Sequence, residues 1–234
     1  KVKKYNITIV DPVKSKLLKQ KYKNKNINIL STISLVKEFI KFDTIIFATK
    51  PIHLQSAINE ISNFKLNPKT IIASIVAGKK INIFKKNFIN IKNIFRIMPN
   101  MPASIGESMN CVACSESATK IKKNQIIELS SYSGKTIILQ NENAIDMATA
   151  VSGSGPGFVF NIIDAMEKAA IKLGFEKRMA KLLVVQTFKG SINLLVKNNF
   201  NAQDLVKMVA TKGGTTEAGL KIMKNKRFHK IFES

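Results

Sequence analysis

A loop rich in glycine and hydroxyl groups is the part of this sequence best suited to chemistry. It reads TKGGTTEAG over residues 211–219 and lies between two helical stretches. Backbone without large side chains, followed by a helix start, offers free N–H groups to an anion, and threonine hydroxyls add hydrogen bonds. The same residues also suit a helix–helix turn with a glycine C-cap and a threonine N-cap. A second such segment, SGSGP at 152–156, favours the anion-binding interpretation.

Composition sets the broad class. With 234 residues and 45% hydrophobic content, the chain can bury one large core or two small ones. We expect no apolar run that is long enough to cross a bilayer. We expect the protein to lie in the cytoplasm. The formal charge of +23 comes from scattered lysines, with arginine only at 96, 178 and 227 and few aromatic residues. That pattern predicts no specific nucleic-acid site.

The two cysteines, Cys111 and Cys114, have the C-x-x-C spacing of redox and zinc sites. The segment around them is predicted to be a strand, in which residues three apart point to opposite faces. The two histidines, His53 and His229, are distant in sequence. We therefore expect two free thiols and no metal site.

Residues up to about 143 alternate strand-like and helical runs. Predicted strands lie at 7–10, 27–30, 44–48, 70–76, 94–98 and 109–113, with predicted helices at 13–22, 31–42 and 53–61. Several strands are apolar throughout, which is typical of a parallel sheet covered on both faces. From Ala144 the pattern is helical, with helices expected over 158–173, 177–197 and from Asn201 to the glycine loop. We place a domain boundary between residues 143 and 144.

Turn residues follow successive predicted strands, where ligands bind in an open parallel sheet. These segments are Asp11-Pro12, Thr49-Lys50-Pro51, Ala77-Gly78 and the string PNMP at 99–102. Each alone is a common way to end a strand. Their recurrence predicts a cofactor cleft at that edge.

Several long strings in this order closely resemble the pyrroline-5-carboxylate reductase family. They are ATKP at 48–51, RIMPNMPASIGES at 96–108, AVSGSGPGFVF at 150–160 and VATKGGTTEAG at 209–219. The resemblance implies an α/β fold in which an incomplete Rossmann-like domain, residues 1–143, precedes an all-helical dimerisation and substrate-binding domain, residues 144–234. It also implies reduction of 1-pyrroline-5-carboxylate to L-proline with NADPH or NADH, the last step of proline biosynthesis, by a homo-oligomer.

The resemblance also assigns roles to residues. Thr216 matches the threonine that hydrogen-bonds the substrate ring nitrogen. The loop that holds the substrate carboxylate would comprise Thr211, Gly213, Gly214 and Thr215. The nicotinamide cofactor would contact Asp11, Ala48, Thr49, Lys50, Pro51, Ile75, Val76 and Ala77.

Three departures from the family pattern bear on these roles. Met101 stands where a threonine is common, and Thr211-Lys212 replaces Ser-Pro, which removes a fixed φ but adds a positive charge. The segment before Asp11 has no glycine-rich turn. We therefore expect a chain cut at both ends that lacks the first strand, the glycine loop and the first helix.

Cofactor preference stays open. A carboxylate at Asp11 favours the ribose hydroxyls of NADH, whereas Lys14 and Lys16 attract the 2′-phosphate of NADPH.

Two other functions stay open. One is a related reductase acting on β-hydroxy acids, which would need a lysine on the interdomain helix; the start of that helix has none. The other is a truncated, non-catalytic oligomerisation module.

Overall fold

Runs of β-branched and aromatic residues form most of the strands, because such side chains pack well on a pleated surface. This computed structural model describes residues 5–23, 25, 27–197 and 200–232. Within them the strands are β1 (Ile7–Val10), β2 (Ile27–Leu30), β3 (Thr44–Phe47), β4 (Ile71–Ser74), β5 (Asn93–Met98), β6 (Ser108–Cys114) and β7 (Gly134–Ile138).

The strands make two sheets in the described part of the chain. β1 and β2 pair in parallel as a two-stranded sheet, and the other five lie in the order β3-β4-β5-β6-β7. All neighbours in the larger sheet are parallel except β5 and β6, which are antiparallel. The predicted parallel-dominated sheet is confirmed, with one reversed pair that the sequence did not indicate.

Helices connect the strands and then make up the rest of the chain. The described helices are α1 (Ser15–Lys21), α2 (Leu54–Ser62), α3 (Ile81–Asn87), α4 (Lys120–Ser131), α5 (Asn143–Ala148), α6 (Gly155–Lys172), α7 (Lys177–Lys197), α8 (Ala202–Val209) and α9 (Thr215–Asn225). The chain divides into two compact units, Lys1–Phe158 and Val159–Ser234.

The central strands of the larger sheet are buried on both faces. Every residue of β4 is buried, and all of β5 except Met98. Leu54 and Ile58 of α2 and Phe84 of α3 pack in the same apolar cluster as Ile72 and Ile94. Helices therefore cover the strands, as continuous apolar runs require.

The helix predicted over residues 31–42 is wrong. Two short 3₁₀ turns, Ile33–Leu35 and Phe39–Lys41, stand in its place, with extended backbone at Val36 (φ −79°, ψ 114°). This segment is rich in β-branched and hydroxyl residues, which favour helices weakly. The extended residue lets both Val36 and Phe39 reach the core, where each is 7% exposed.

The second glycine segment, residues 152–156, is helical rather than an open loop. The Ser154 N–H donates to the Thr149 carbonyl at 2.9 Å, which makes a π-helical turn over Thr149–Gly153. Pro156 follows in the first turn of α6, where its missing N–H costs nothing. A Cβ on Gly153 would lie 3.0 Å from Thr149 Cγ2. This glycine serves close packing, so the expected second anion cradle is not formed.

The second unit exposes much apolar surface. Leu182, Ile192 and Val196 of α7 are 62%, 52% and 65% exposed, and Phe160 of α6 is 52% exposed. Among the residues that the structure describes, α7 is long and apolar enough, by length and composition, to cross a bilayer. The expectation that no apolar run is long enough to cross a bilayer is therefore corrected. One such helix is weak evidence for a membrane span.

A buried cation joins three elements of the first unit. Arg96 of β5 is 4% exposed, and its Nη2 lies 3.0 Å from Asp146 Oδ1 of α5. Its Nη1 lies 3.5 Å from Glu142 Oε1, which also accepts the Ile81 N–H of α3 at 2.7 Å. The guanidinium is tolerated inside the protein because these carboxylates compensate its charge.

Removing the charge of Arg96 should destabilise the first unit. We expect Arg96→Met, which keeps an apolar stem, to cost about 3 kcal/mol of unfolding free energy because Glu142 is left partly buried without its partner. Urea denaturation measures the change. Lys168→Met is the control, since its pair with Asp164 is exposed on both sides and should contribute less than about 0.5 kcal/mol. Equal effects of the two variants would contradict this account.

Candidate active site

One edge of the larger sheet collects the candidate cofactor residues. β3, β4 and β5 are parallel, so their carboxyl ends lie at the same edge. Phe47 and Ser74, the last residues of β3 and β4, are register partners, so Ala48 and Ile75 continue from neighbouring positions. Because β6 is antiparallel to β5, it begins at this edge. Ligands of open α/β sheets bind here.

Thr49 carries an unsatisfied polar group just beyond β3. Its Oγ1 is buried and has no hydrogen-bond partner among the described residues. Lys50 beside it is exposed, and Pro51 opens a short 3₁₀ turn, Pro51–His53. An unpaired buried hydroxyl costs free energy, so it marks a place where a ligand could supply the missing partner.

The residues after β4 alternate between solvent and core. Ile75 and Ala77 are exposed, whereas Val76 is 3% exposed and packs in the apolar cluster of the sheet. Gly78 has φ +69°, a left-handed conformation that favours glycine. Ile75 and Ala77 can therefore present side chains to a ligand, while Val76 can offer only its backbone.

Asp11 lies at the end of β1, in the two-stranded sheet. Its Oδ1 accepts the N–H groups of Val13 and Lys14 at 2.9 and 2.8 Å, so it caps the turn that leads into α1. One carboxylate oxygen is thus used within the chain. The candidate cofactor residues after β3 and β4 lie on adjacent strands, whereas Asp11 belongs to the other sheet.

The loop between α8 and α9 has the features of an anion cradle. Gly213 has φ +76°, and the Gly214 N–H donates to the Thr211 carbonyl at 3.0 Å. The Gly213 N–H donates to Glu217 Oε2 at 2.7 Å. Among the described residues, no group accepts the N–H of Thr215, Thr216 or Glu217, the first three positions of α9.

Hydroxyl groups complete this cradle. Those of Thr211, Thr215 and Thr216 have no hydrogen-bond partner in the described part of the chain. A Cβ on Gly214 would lie 2.7 Å from Thr211 Oγ1 and 3.1 Å from the Thr211 carbonyl oxygen, so a larger residue would have to displace the Thr211 hydroxyl and crowd the loop backbone. Free donors at a helix N-terminus are suited to hold a carboxylate. The same residues therefore form a helix–helix turn and offer the free donors of an anion site, so the two interpretations of this loop are compatible.

Asn100 is a polar residue at the sheet edge that was predicted only as part of the turn at 99–102, with no role of its own. Its Oδ1 accepts from Ser108 Oγ and from the Met109 N–H, both at 3.1 Å. Its Nδ2 donates to the Ser152 carbonyl at 2.9 Å. Asn100 therefore ties the end of β5 to the start of β6 and to the π-helical turn. The sequence feature that could have pointed to Asn100 is its place in the string RIMPNMPASIGES, one of the strings that resemble the family.

The cysteines lie on β6 and are free. Cys111 is buried and Cys114 is half-buried. Their positions on one strand turn their side chains to opposite faces, as the spacing predicts. Among the described residues, no three His, Cys, Asp or Glu side chains are grouped so that they could hold a metal ion.

Comparison with known proteins covers nearly the whole chain. A family model described as pyrroline-5-carboxylate reductase dimerisation matches residues 142–234. Pyrroline-5-carboxylate reductase 2 of Bacillus subtilis is 34% identical over 194 residues, 81% of this chain and 67% of that protein. Pyrroline-5-carboxylate reductase of Aquifex aeolicus is 30% identical over 233 residues, 97% of this chain and 83% of that protein.

Solved structures agree in fold. The Plasmodium falciparum pyrroline carboxylate reductase, crystallised with NADP bound, is 27% identical and has a TM-score of 0.81, covering 99% of this chain and 83% of that one. The Coxiella burnetii pyrroline-5-carboxylate reductase has a TM-score of 0.82 at 24% identity, covering 97% of this chain and 93% of that one.

The unpartnered hydroxyl of Thr49 gives a stability prediction. Thr49→Val replaces it with a methyl group of similar size, so we expect the ligand-free protein to gain about 1 kcal/mol of unfolding free energy. Thr49→Ser keeps the hydroxyl, and we expect it to show no gain. Urea denaturation without cofactor measures both. A less stable Thr49→Val would mean that the hydroxyl has a protein partner.

Proposed function

Because the chain belongs to the pyrroline-5-carboxylate reductase family, we infer that the protein reduces 1-pyrroline-5-carboxylate to L-proline, the last step of proline biosynthesis. NADPH or NADH is the reductant, in keeping with the relative that was crystallised with NADP. When bound, the cofactor supplies hydride to the ring carbon of the C=N bond, which becomes a C–N single bond. The ring nitrogen carries a proton in the product amine.

The observation that carries this inference within the chain is the cradle of the α8–α9 loop. It presents free N–H groups and threonine hydroxyls, and it lies inside the region that matches the family model. The substrate has one carboxylate to be gripped and one ring nitrogen to be oriented. We assign the carboxylate to Thr211, Gly213, Gly214 and Thr215.

Thr216 is assigned to the ring nitrogen. A threonine hydroxyl is a poor acid at its ordinary pKa, so its role is orientation of an imine that is already protonated. Holding the C=N bond in one position relative to the hydride donor lowers the entropy cost of the reaction. The cradle thus positions the substrate and does not itself transfer a proton.

The sheet edge is assigned to the cofactor. Ala48, Thr49, Lys50 and Pro51 would contact it after β3, and Ile75, Val76 and Ala77 after β4. The unpartnered Thr49 hydroxyl supports this assignment, because a cofactor can satisfy it. For Asp11, the support is that its Oδ2 has no hydrogen-bond partner among the described residues, so it can accept from a ribose hydroxyl. The choice between NADH and NADPH depends on the balance between this carboxylate and the nearby Lys14 and Lys16.

The helical part of the chain assembles the protein. The match to a dimerisation domain and the exposed apolar side chains of α6 and α7 support a homo-oligomer formed through this part. The match begins at residue 142, which supports a domain boundary between residues 143 and 144 in sequence. By its contacts, the segment from α5 to Phe158 belongs to the first compact unit. We further propose a cytoplasmic location, where the cofactor and the substrate are available.

Absorbance at the nicotinamide band tests the function directly. We expect consumption of NADPH or NADH only when 1-pyrroline-5-carboxylate is present, and L-proline as the product. A β-hydroxy acid with the oxidised cofactor serves as the control and should give no reaction. Cofactor binding seen by fluorescence without turnover would favour a non-catalytic module, and oxidation of the β-hydroxy acid would favour a related reductase.

Thr216→Val tests the role of the hydroxyl. We expect kcat/KM for 1-pyrroline-5-carboxylate to fall at least about tenfold, because one oriented hydrogen bond is lost in the transition state. Affinity for NADPH, measured by fluorescence titration, should stay unchanged. Thr216→Ser retains the hydroxyl and should recover most of the activity. An unimpaired Thr216→Val would remove Thr216 from the catalytic residues.

A further inference from the structure

We propose that Glu217 is a positioning residue that sets the shape of the substrate-carboxylate loop. The inference rests on the proposed function, because it concerns the same loop. Glu217 is assigned no contact with the hydride donor or the ring nitrogen. It acts through the backbone of Gly213.

The geometry joins the start of α9 to the residue two before it. Glu217 is the third residue of α9, and its Oε2 accepts the Gly213 N–H at 2.7 Å. Gly213 adopts φ +76°, and the next N–H, that of Gly214, is bonded to the Thr211 carbonyl. Two hydrogen bonds therefore fold residues 211–214 over the helix start. One of them depends on a side chain.

This carboxylate leaves the cradle available. Glu217 occupies the Gly213 N–H only, and the N–H groups of Thr215, Thr216 and Glu217 itself have no acceptor among the described residues. Without the bond to its N–H, Gly213 can leave the left-handed conformation, since glycine has no strong preference for it. Residues 211–214 would then have no fixed arrangement beside the three free donors at the start of α9.

The negative charge of Glu217 opposes substrate binding, whereas its hydrogen bond favours it. A carboxylate near the loop repels the substrate carboxylate, although the exposed setting screens that repulsion. The hydrogen bond is charge-assisted and acts at contact distance, so its ordering effect outweighs the repulsion. Glu217→Gln separates the two effects, because the amide oxygen can still accept the Gly213 N–H and the charge is gone.

Steady-state kinetics of Glu217→Ala, Glu217→Gln and the wild type test the proposal. We expect Glu217→Ala to raise KM for 1-pyrroline-5-carboxylate about five- to tenfold, the effect of one lost ordering hydrogen bond, with KM for NADPH unchanged. Glu217→Gln should stay within about twofold of wild type. The inhibition constant of L-proline, which has the same carboxylate, should rise in parallel in Glu217→Ala.

Asp204→Ala is the matched control. Asp204 is also an exposed carboxylate in the first turn of a helix, α8, but it pairs with Lys207 and not with the loop. Its removal weakens a helix start without touching Gly213, so neither KM should change. Thermal melting of each variant, with and without NADPH, reports any general loss of structure.

Three results would overturn the proposal. They are an unchanged substrate KM in Glu217→Ala, an equal rise in both KM values, and a Glu217→Gln variant as impaired as Glu217→Ala. A wild-type protein that binds NADPH but never reduces 1-pyrroline-5-carboxylate overturns the proposed function and this inference together. An active wild type with an unaffected Glu217→Ala overturns this inference alone.

Discussion

The architecture of the first unit depends on compensating one buried positive charge. Arg96 lies on a central strand of the sheet, where a lone guanidinium would be prohibitively costly. Asp146 and Glu142 come to it from α5 and the residue before it, and Glu142 also holds the first N–H of α3. The chain that returns after β7 is therefore fixed against β5. The same network steadies α3, which follows the candidate cofactor segment at 75–77.

A second requirement, the satisfaction of polar groups at the sheet edge, separates structural residues from functional ones. Asn100 uses both its carbonyl and its amide within the chain, so it organises the edge and has little left for a ligand. Thr49 is the opposite case, since its buried hydroxyl has no partner among the described residues. In the second unit, the N–H and hydroxyl donors of Thr215 and Thr216 likewise have no partner in the part of the chain that the structure describes. Unused hydrogen-bonding capacity thus marks the candidate cofactor segment in the first unit and the candidate substrate loop in the second.

Strand positions could be predicted because their signal is local. Residues 7–10 and 27–30 are strands over the predicted bounds, and α7 matches its predicted range of 177–197. The failures have tertiary causes. At 31–42 the backbone is extended at Val36, so that the side chains of Val36 and Phe39 are both buried in the core. The helical spacing of the apolar residues does not indicate this conformation. At 152–156 glycine suggested an open loop, yet Gly153 is needed for contact with Thr149 inside a helical turn.

By itself the sequence determined the family, the alternation of strands and helices, and the candidate residues of the α8–α9 loop. The family and the loop residues can be recognised from short motifs in a fixed order, and the alternation can be recognised from the periodicity of hydrophobic residues. Tertiary structure alone decided which polar groups are already used. The bonds of Asn100 to Ser108 and Ser152, the pairing of Arg96 with Asp146, and the reversed direction of β6 join residues far apart in the chain. Such pairings depend on long-range packing and on the cost of burying unpaired charge, and no local pattern carries that information.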